Sequence, residues 1–348
     1  MVLQFVDQPP GTDKTILNMK LLFAVLIMTS ILFCQSKTTS EPNQVSYELV
    51  NGWPELSKGY ILSQPTGIGI DKDDHIFIFH RAGRKWTTPF PDSLISQHTV
   101  LELDNESGKI INSWGANYFI MPHGLTVDKQ NNIWLTDVGL HQIFKFSHEG
   151  KLLMKLGVAK MPGNDSLHFN LPTDIAVADD GSFYVSDGYG NSRVVKFSST
   201  GKYIKAWGTY GNKAGEFIIP HGIAIDKNNT IYVADRQNNR IQLFDTSGNF
   251  IKELKNDVHV EQLPSIAIDK ADHLFAIDYD PTKKMDSTVK GSTIFAFDSS
   301  QRAKTHFGAT GSANRASCWF HDLALDSKGN IYVGDIIGLK VLKFKPKK

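Results

Sequence analysis

From about residue 45 to the end of the chain, apolar and polar residues alternate within short segments, and polar turns separate these segments. The segments at 133–137, Ile-Trp-Leu-Thr-Asp, and at 231–235, Ile-Tyr-Val-Ala-Asp, are typical. A period of two residues between Gly-, Asn- and Asp-rich turns indicates half-buried antiparallel strands. The chain is therefore predicted to be all-β.

The strands recur as an internal repeat of about four strands. Successive copies open at one register, which is occupied by Thr66, His123, Thr173, His221, Ser265 and His321. Spacings of 44 to 57 residues and four short strands per copy predict a six-bladed β-propeller, whose sheets bury their faces against neighbouring blades. The strand-like segment 45–50 precedes the first copy, and the last copy ends near Phe344 after three strands. We expect the N-terminal strand to complete the final blade and so close the ring.

The predicted domains are a leader and linker over residues 1–43 and the propeller over residues 44–348. Lys20 is followed by an apolar run at 21–33, which suits the core of a signal peptide and is short for a membrane span. Met19 directly precedes Lys20, so Met1 and Met19 are alternative starts. Cys34 follows the run and resembles a lipoprotein attachment cysteine, although Phe33 departs from the small residue expected before it. Lipidation, simple cleavage and a retained N-terminal anchor stay open, and export to the extracellular space, the periplasm or the cell envelope is expected.

The net charge limits the expected partners, and the cysteine content limits the expected disulfide bonds. The formal net charge of +1 gives no reason to expect nucleic acid or an anionic membrane surface as a partner. A membrane would be reached only through a lipid on Cys34. Because Cys318 is the other cysteine, no intramolecular disulfide is expected after processing.

Histidine occupies the opening register only in alternate copies, at His123, His221 and His321. Alternate units of a six-membered ring lie a third of a turn apart, so three imidazoles would converge on the axis. A single histidine there is more often a hydrogen-bonded core residue, but three at one register favour a metal site. Three neutral imidazoles suit zinc and leave one position open for water or substrate. By contrast, His75 and His273 lie in turns and are interpreted as solvated.

The ends of the second strands provide another set of residues. Aspartate is the usual residue there and is interpreted as a turn cap. Arg81 and Arg236 depart from the small or apolar neighbours of the other copies. Each would bind a carboxylate in bidentate fashion or act as an inter-blade salt-bridge partner. Tyr189 stands in a glycine-flanked loop that permits a close substrate approach.

The repeat resembles the NHL repeat, and from about Tyr47 to Phe344 the chain resembles the peptidyl-α-hydroxyglycine α-amidating lyases. The motifs that carry the resemblance are Ile78-Phe79-His80-Arg81, Met121-Pro122-His123-Gly124-Leu125, Leu140-His141-Gln142-Ile143-Phe144-Lys145, Pro172-Thr173-Asp174, Ser186-Asp187-Gly188-Tyr189 through Asn191-Ser192-Arg193, Pro220-His221 and Ala234-Asp235-Arg236.

The resemblance implies a set of site residues. A catalytic zinc would be held by His123, His221 and His321, and Tyr189 would be the catalytic base, with Arg81 and Arg236 beside it. An adjacent arginine and dication favour the phenolate form of a tyrosine. A structural calcium in the channel would use the Asp322 carboxylate with the backbone carbonyls of Ile68 and Leu125.

The resemblance also implies a reaction, the cleavage of the C–N bond of an N-acyl- or peptidyl-α-hydroxyglycine to an amide and glyoxylate. Two residues depart from the family's pattern: Gly190 replaces a cysteine of the animal members, and Trp319 stands where a methionine is expected. No copper monooxygenase domain precedes the propeller within this sequence, so the role in peptide amidation is left more open than the lyase chemistry. One alternative is a non-catalytic NHL-repeat binding module of the cell envelope, in which a channel metal would be structural. Another is a lactonase-type hydrolase, against which the histidine-rich axis argues.

Overall fold

The computed structural model describes residues 46–58, 60, 62–255, 262–279, 292–298, 300–308 and 318–347. The leader and linker predicted for residues 1–43, with Met19 and Cys34, lie outside the described residues. Within the described ranges, no helix has the length and apolar character needed to cross a membrane.

The described residues form 24 strands and one short 3₁₀ helix. The strands are β1 (Tyr47–Leu49), β2 (Pro65–Ile70), β3 (Ile76–His80), β4 (Val100–Leu103), β5 (Ile110–Trp114), β6 (Pro122–Val127), β7 (Ile133–Asp137), β8 (Gln142–Phe146), β9 (Leu152–Leu156), β10 (Asp174–Val177), β11 (Phe183–Asp187), β12 (Arg193–Phe197), β13 (Tyr203–Trp207), β14 (Pro220–Ile225), β15 (Ile231–Asp235), β16 (Arg240–Phe244), β17 (Phe250–Lys255), β18 (Gln262–Ile268), β19 (Leu274–Tyr279), β20 (Thr293–Phe297), β21 (Ala303–Phe307), β22 (Phe320–Leu325), β23 (Ile331–Asp335) and β24 (Lys340–Pro346). The 3₁₀ helix spans Arg236–Asn238 and directly follows β15.

Six four-stranded antiparallel sheets form the blades of a propeller. Blades 1 to 5 consist of β2–β5, β6–β9, β10–β13, β14–β17 and β18–β21, each in sequence order from the inside outwards. Blade 6 has the order β22, β23, β24, β1. The inner strands contact one another in the order β2, β6, β10, β14, β18, β22 and then β2 again, which closes the ring. The predicted six-bladed β-propeller is confirmed.

The N-terminal strand completes the last blade, as the sequence predicts. Tyr47 pairs with Pro346 and Leu49 with Phe344, so β1 covers the outer edge of β24. Tyr47 also stacks on Phe307 of blade 5, with ring centroids 4.6 Å apart. An unpaired strand edge is an aggregation hazard, and this pairing removes one from the circumference.

The hydrophobic core lies between adjacent blades rather than within any one of them. Phe77 and Phe79 of blade 1 pack with Leu135 and Phe144 of blade 2, and all four are buried. Ile78, on the opposite face of the same strand, belongs to a cluster with residues of blade 6. Each blade is therefore stable only with its neighbours, which is the property that makes six copies necessary.

Aspartates organise both ends of the blades. At one end, the aspartate that ends the second strand of blades 2, 3, 4 and 6 accepts hydrogen bonds from the backbone that leads into its own blade. In blade 2, Asp137 accepts from the N–H groups of Ile120 and Met121. At the other end, the aspartate after the inner strand caps the turn. In blade 1, Asp71 Oδ1 accepts the N–H groups of Asp73 and His75. The remaining oxygen of the turn aspartate is then free to take a partner that differs between blades.

Candidate active site

Three histidines converge at the axis of the propeller. His123, His221 and His321 each occupy the second position of an inner strand, in blades 2, 4 and 6. All three are buried, and their ring centroids are 4.7, 4.7 and 5.1 Å apart. The convergence predicted from the repeat register is therefore present in the fold.

The intervening blades orient these imidazoles. The Nδ1 atoms of His123, His221 and His321 lie 2.7, 2.6 and 2.7 Å from the backbone carbonyl oxygens of Thr173, Pro264 and Thr66. Since a carbonyl only accepts, each Nδ1 carries the proton, and each Nε2 lone pair is left to face the axis. The Thr/Ser blades thus supply the carbonyls that select the tautomer of the histidine blades, and this is the tautomer that binds a metal through Nε2.

Burial keeps the three imidazoles neutral. It lowers the pKa of His321 to about 3 and the pKa values of His123 and His221 well below the ordinary value. Arg236 lowers the pKa values of all three further, Arg81 lowers those of His123 and His321, and neighbouring imidazoles add to the effect on His123 and His221. Three candidate ligand nitrogens lie within 4.8 Å of one another, so the donor set is one that zinc accepts.

The Tyr189 hydroxyl sits on the open side of the histidine cluster. It lies 2.9 Å from His221 Nε2 and 3.2 Å from His123 Nε2. Arg236 donates an Nη1 hydrogen bond to it at 3.2 Å, and the guanidinium lies 5.2 Å from the centre of the tyrosine ring. The structure therefore brings together the tyrosine, one of the two arginines and the three histidines that the resemblance implies.

Close backbone packing sets the position of this tyrosine. An added Cβ on Gly188 would lie 1.9 Å from the carbonyl oxygen of Pro220, so no larger residue fits before Tyr189. The tyrosine's own N–H lies 3.4 Å from the carbonyl of Leu171, whose φ is +60°. A left-handed conformation is costly for a leucine and is commonly found at functional sites. The glycine thus allows blade 3 to approach blade 4, and substrate access at this loop stays a prediction.

Arg81 is buried at the same mouth of the channel. Its Nε donates to the carbonyl of Pro122 at 3.2 Å, and its Nη1 donates to the Gln64 side chain at 3.1 Å. Burial lowers the pKa of Arg81 to about 10, so the group remains a cation at neutral pH. Within the described part of the chain, neither Arg81 nor Arg236 forms an ion pair with a carboxylate, and Arg236 Nε has no hydrogen-bond partner there. Both cations therefore suit an incoming carboxylate better than the alternative salt-bridge role.

One aromatic contact at this site was not predicted from the sequence. Trp86 lies 5.4 Å from the ring of Tyr189 and 5.1 Å from the Arg81 guanidinium. It is about two-fifths exposed and belongs to the long connection between β3 and β4. Because this connection is longer than the corresponding connection in any other copy, the repeat register gave no signal for Trp86.

Two carboxylates, the buried Asp322 and the half-buried Asp174, lie deeper in the channel. Asp322 Oδ2 accepts the N–H of Ile68 at 2.7 Å, and its Oδ1 accepts the Ser265 hydroxyl at 2.6 Å. Burial raises the pKa of Asp322 to about 7. Burial and the Asp322 charge together raise the pKa of Asp174 well above its ordinary value. Asp174 was not predicted from the sequence as a site residue, although it occupies the Asp322 register three copies earlier.

This oxygen-rich pair fits a hard cation such as calcium. The strands β2 and β6 approach closely at this depth, since an added Cβ on Gly67 would lie 2.6 Å from Leu125 N. Ile68 meets Asp322 through its N–H group, and Leu125 lies buried on β6. Calcium ligation by the Asp322 carboxylate and the carbonyls of Ile68 and Leu125 stays a prediction.

Comparisons with known proteins agree with the repeat and the fold. A family model described as an NHL repeat matches residues 119–146, and one described as a 6-bladed beta-propeller matches residues 153–288. The chain is a six-bladed β-propeller with a segment that matches the NHL repeat. Solved structures of this architecture include one titled streptogramin B lyase structure, with 14% identity, a TM-score of 0.57 and coverage of 87% of this chain and 98% of that chain. At this identity the likeness shows the fold alone.

The curated relatives share more of the sequence. A Drosophila melanogaster protein named peptidyl-alpha-hydroxyglycine alpha-amidating lyase 1 is 34% identical over 325 residues, which are 86% of this propeller chain and 60% of that protein. A Xenopus laevis protein named peptidyl-glycine alpha-amidating monooxygenase A is 34% identical over 314 residues, which are 85% of this chain and 33% of that protein. The chain therefore spans between about a third and 60% of the length of these two relatives.

Proposed function

We propose that this propeller is a carbon–nitrogen lyase that cleaves an N-acyl- or peptidyl-α-hydroxyglycine to an amide and glyoxylate. The observation that carries the proposal is the position of the Tyr189 hydroxyl, which contacts two of the three axial histidines and the Arg236 guanidinium. The names of the relatives at 34–40% identity support the same reaction.

The reaction has three chemical requirements. The substrate carries a carboxylate, a carbon-bound hydroxyl and an acylated nitrogen. Its hydroxyl must lose a proton, the oxygen electrons must form the carbonyl of glyoxylate, and the C–N electrons must leave with the amide nitrogen, which gains a proton. No water is consumed, so the reaction is an elimination rather than a hydrolysis.

The residues of the channel mouth match these requirements. Tyr189 takes the hydroxyl proton, because its oxygen is the group held against the axial cluster by Arg236. Arg236 and Arg81 orient the substrate carboxylate, since both are buried cations without a carboxylate partner among the described residues. Trp86 packs beside Tyr189 and shields it from water on one side. His123, His221 and His321 would hold zinc, which when bound supplies Lewis-acid polarisation of a substrate oxygen.

Product analysis tests the proposal. The purified protein, loaded with zinc, is incubated with α-hydroxyhippurate, and benzamide and glyoxylate are quantified together. Equimolar benzamide and glyoxylate are expected. A protein that leaves this compound and several other N-acyl-α-hydroxyglycines unchanged would instead support the non-catalytic binding module. Gluconolactone serves as the control substrate, and its hydrolysis in the absence of glyoxylate release would support the lactonase alternative.

The pH dependence of zinc binding follows from the lowered pKa values of the axial histidines. Protons compete with zinc for each imidazole, and a histidine with the ordinary pKa of about 6.5 would weaken binding about tenfold at pH 5.5, or about 10³-fold for three. In the folded channel the pKa of His321 is about 3 and the pKa values of His123 and His221 lie well below the ordinary value, so we expect proton competition to be much weaker than for free imidazoles. We expect the zinc affinity of the channel site to fall less than about tenfold between pH 7.5 and 5.5.

Competition with a chelator of known affinity measures this dependence. The same titration of His221→Ala identifies the part of the signal that belongs to the channel. A channel affinity that drops about 10³-fold over this interval would contradict the neutral, pre-oriented cluster.

Calcium binding at Asp322 is the second metal prediction. Adding calcium to the metal-free protein should raise its thermal midpoint, because a ligand at 100 times its dissociation constant adds about 2.7 kcal/mol. For a domain of this size, about 2–4 °C accompany each kcal/mol, so a rise of about 5–10 °C is expected. In Asp322→Asn the anionic ligand is lost and the midpoint should not respond to calcium.

Magnesium at the same concentration controls for ionic strength. If the wild-type midpoint is indifferent to calcium, or the variant responds as strongly as the wild type, Asp322 is not a calcium ligand.

A further inference from the structure

We propose that the junction between blades 1 and 2 holds a second divalent cation of the zinc class, bound by Asp71, His75, Glu102 and His148. One ligand atom from each of these four side chains lies within 4.8 Å of the others. The cluster lies outside the channel, at the opposite end of β2 from Thr66. Asp71, His75 and Glu102 belong to blade 1, whereas His148 comes from the turn between β8 and β9 of blade 2.

The repeat shows that blade 1 departs from its neighbours at this place. In blades 2, 3 and 6 a lysine of the third strand pairs with an aromatic residue of the second: Lys145 with Trp134, Lys196 with Tyr184, and Lys343 with Tyr332. In blade 1 the corresponding pair is Glu102 with Phe77. A carboxylate has replaced the cation, and phenylalanine has replaced a hydrogen-bond donor.

The hydrogen-bond partners of the turn aspartate differ between blade 2 and blade 1. In blade 2, Asp128 Oδ2 accepts from Trp134 Nε1 at 2.9 Å and lies 3.6 Å from Lys145 Nζ. In blade 1, the same oxygen of Asp71 is contacted instead by His75 Nδ1 at 3.1 Å and His148 Nε2 at 2.9 Å. His75 stands at the position of Asn132, which contacts Asp128 Oδ2 at 2.9 Å, and the His148 imidazole is the contact that replaces the tryptophan and the lysine.

The charges of the cluster call for a cation. The side chains of Asp71 and Glu102 are 0% and 6% exposed, and no lysine or arginine in the described ranges pairs with either. Two buried carboxylates are costly unless positive charge accompanies them. One divalent cation balances both carboxylates and uses the imidazole nitrogens as ligands.

The separations match a four-coordinate site. Tetrahedral zinc with bonds of about 2.0–2.2 Å to nitrogen and oxygen has ligand atoms about 3.3–3.6 Å apart. His75 Nδ1 lies 3.1 Å from Asp71 Oδ2 and 3.3 Å from Glu102 Oε1. His148 Nε2 lies 2.9 and 3.7 Å from the same two oxygens. The Phe77 ring meets the His148 imidazole edge-on at 5.1 Å and fixes its orientation.

The donor set identifies the class of ion and its role. Two imidazoles with two carboxylates suit zinc and similar borderline cations better than calcium or magnesium, which prefer oxygen ligands alone. Four protein ligands leave no position for a substrate, which is typical of structural zinc. Since one ligand comes from blade 2, the ion would join the two blades directly.

Blade 5 provides a matched control within the chain. His273 occupies the position of His75 and contacts Asp269 at 2.8 Å, so the turn is the same. The residue that pairs with Phe275 is Ala296, however, so this turn lacks the second carboxylate. His273 is also 62% exposed, against 33% for His75. His273→Ala therefore removes an aspartate-bound turn histidine without touching the proposed site.

The experiment uses the full-length protein in a His221→Ala background, which disables the channel site. Metal-free protein is mixed with excess zinc, freed of unbound ion by gel filtration, and assayed for zinc content and thermal midpoint. The single variant and its His273→Ala derivative should retain about one zinc per chain, and zinc should raise their midpoints. The His148→Ala and Glu102→Lys derivatives should each retain less than about 0.2 zinc per chain and show no zinc-dependent rise.

Glu102→Lys keeps the test independent of folding, because it restores the residue that the repeat uses in three other blades. Crystals of the zinc-loaded wild type, measured at the zinc absorption edge, should also show an anomalous peak at the blade junction. Zinc content that is unchanged in His148→Ala and Glu102→Lys, or absent while the cluster is intact, overturns the proposal. A failure of the lyase proposal would leave this result unaffected, since glyoxylate release is not measured.

Discussion

Replacing Tyr189 by phenylalanine is expected to lower the rate of glyoxylate release about 10²–10⁴-fold, the usual loss when a general base is removed. The substitution deletes only the hydroxyl oxygen that contacts His123, His221 and Arg236. The ring contact with Trp86 needs no hydroxyl, so the thermal midpoint should stay close to that of the wild type. The loss should appear in kcat, because the proton is taken only as the reaction proceeds.

A second tyrosine near the same arginine provides the control. Tyr279 lies 6.0 Å from the Arg236 guanidinium, but its hydroxyl donates to Gln262 rather than to the histidine cluster. Burial raises the pKa of Tyr279 to about 12, so it cannot act as a base at neutral pH. Tyr279→Phe should therefore keep most of the activity. If Tyr189→Phe is as active as Tyr279→Phe, the proposed base is wrong.

His221→Ala is expected to empty the channel of zinc and to lower turnover more than about 100-fold. Even partners in the outer shell of a metal site typically account for 10–100-fold in affinity or activity, and a direct ligand should account for more. The same substitution removes the shorter of the two hydrogen bonds that the axial imidazoles make with the Tyr189 hydroxyl. Zinc content and glyoxylate release should therefore fall together.

The His273→Ala variant removes an exposed histidine outside the channel and so controls for the loss of an imidazole as such. A His221→Ala protein that keeps its channel zinc, located by anomalous scattering, would contradict the ligand assignment. One that loses the zinc but keeps its turnover would show that the channel metal is structural.

The sequence predicted the parts of the molecule that obey the repeat. Six copies, the closing N-terminal strand and the convergence of His123, His221 and His321 all follow from one register, because a closed ring converts a position in the repeat into a position around the axis. The recurrence of aspartate at the ends of the second strands likewise predicted a capping role, and Asp137 accepts backbone N–H groups as expected.

Features outside the repeat could not be predicted in this way. Trp86 lies in a connection that is longer than the corresponding one in any other blade, so the repeat register does not indicate where its side chain lies. The contact of Gly188 with the Pro220 carbonyl depends on the distance between two blades, which a register does not contain. His75 was interpreted as a solvated turn residue, yet it is two-thirds buried, because Glu102 and His148 reach it from a third strand and from the next blade.

The central claim is that C–N cleavage takes place at the three-histidine channel site, and zinc reconstitution tests it most directly. Metal-free Glu102→Lys protein, which keeps the channel intact, is titrated with zinc while glyoxylate release from α-hydroxyhippurate is followed. The account predicts no turnover without metal and a rate that rises in proportion to channel occupancy, reaching its plateau at about one ion per chain. Full activity of the metal-free protein, or a fully loaded channel that releases no glyoxylate, would contradict it.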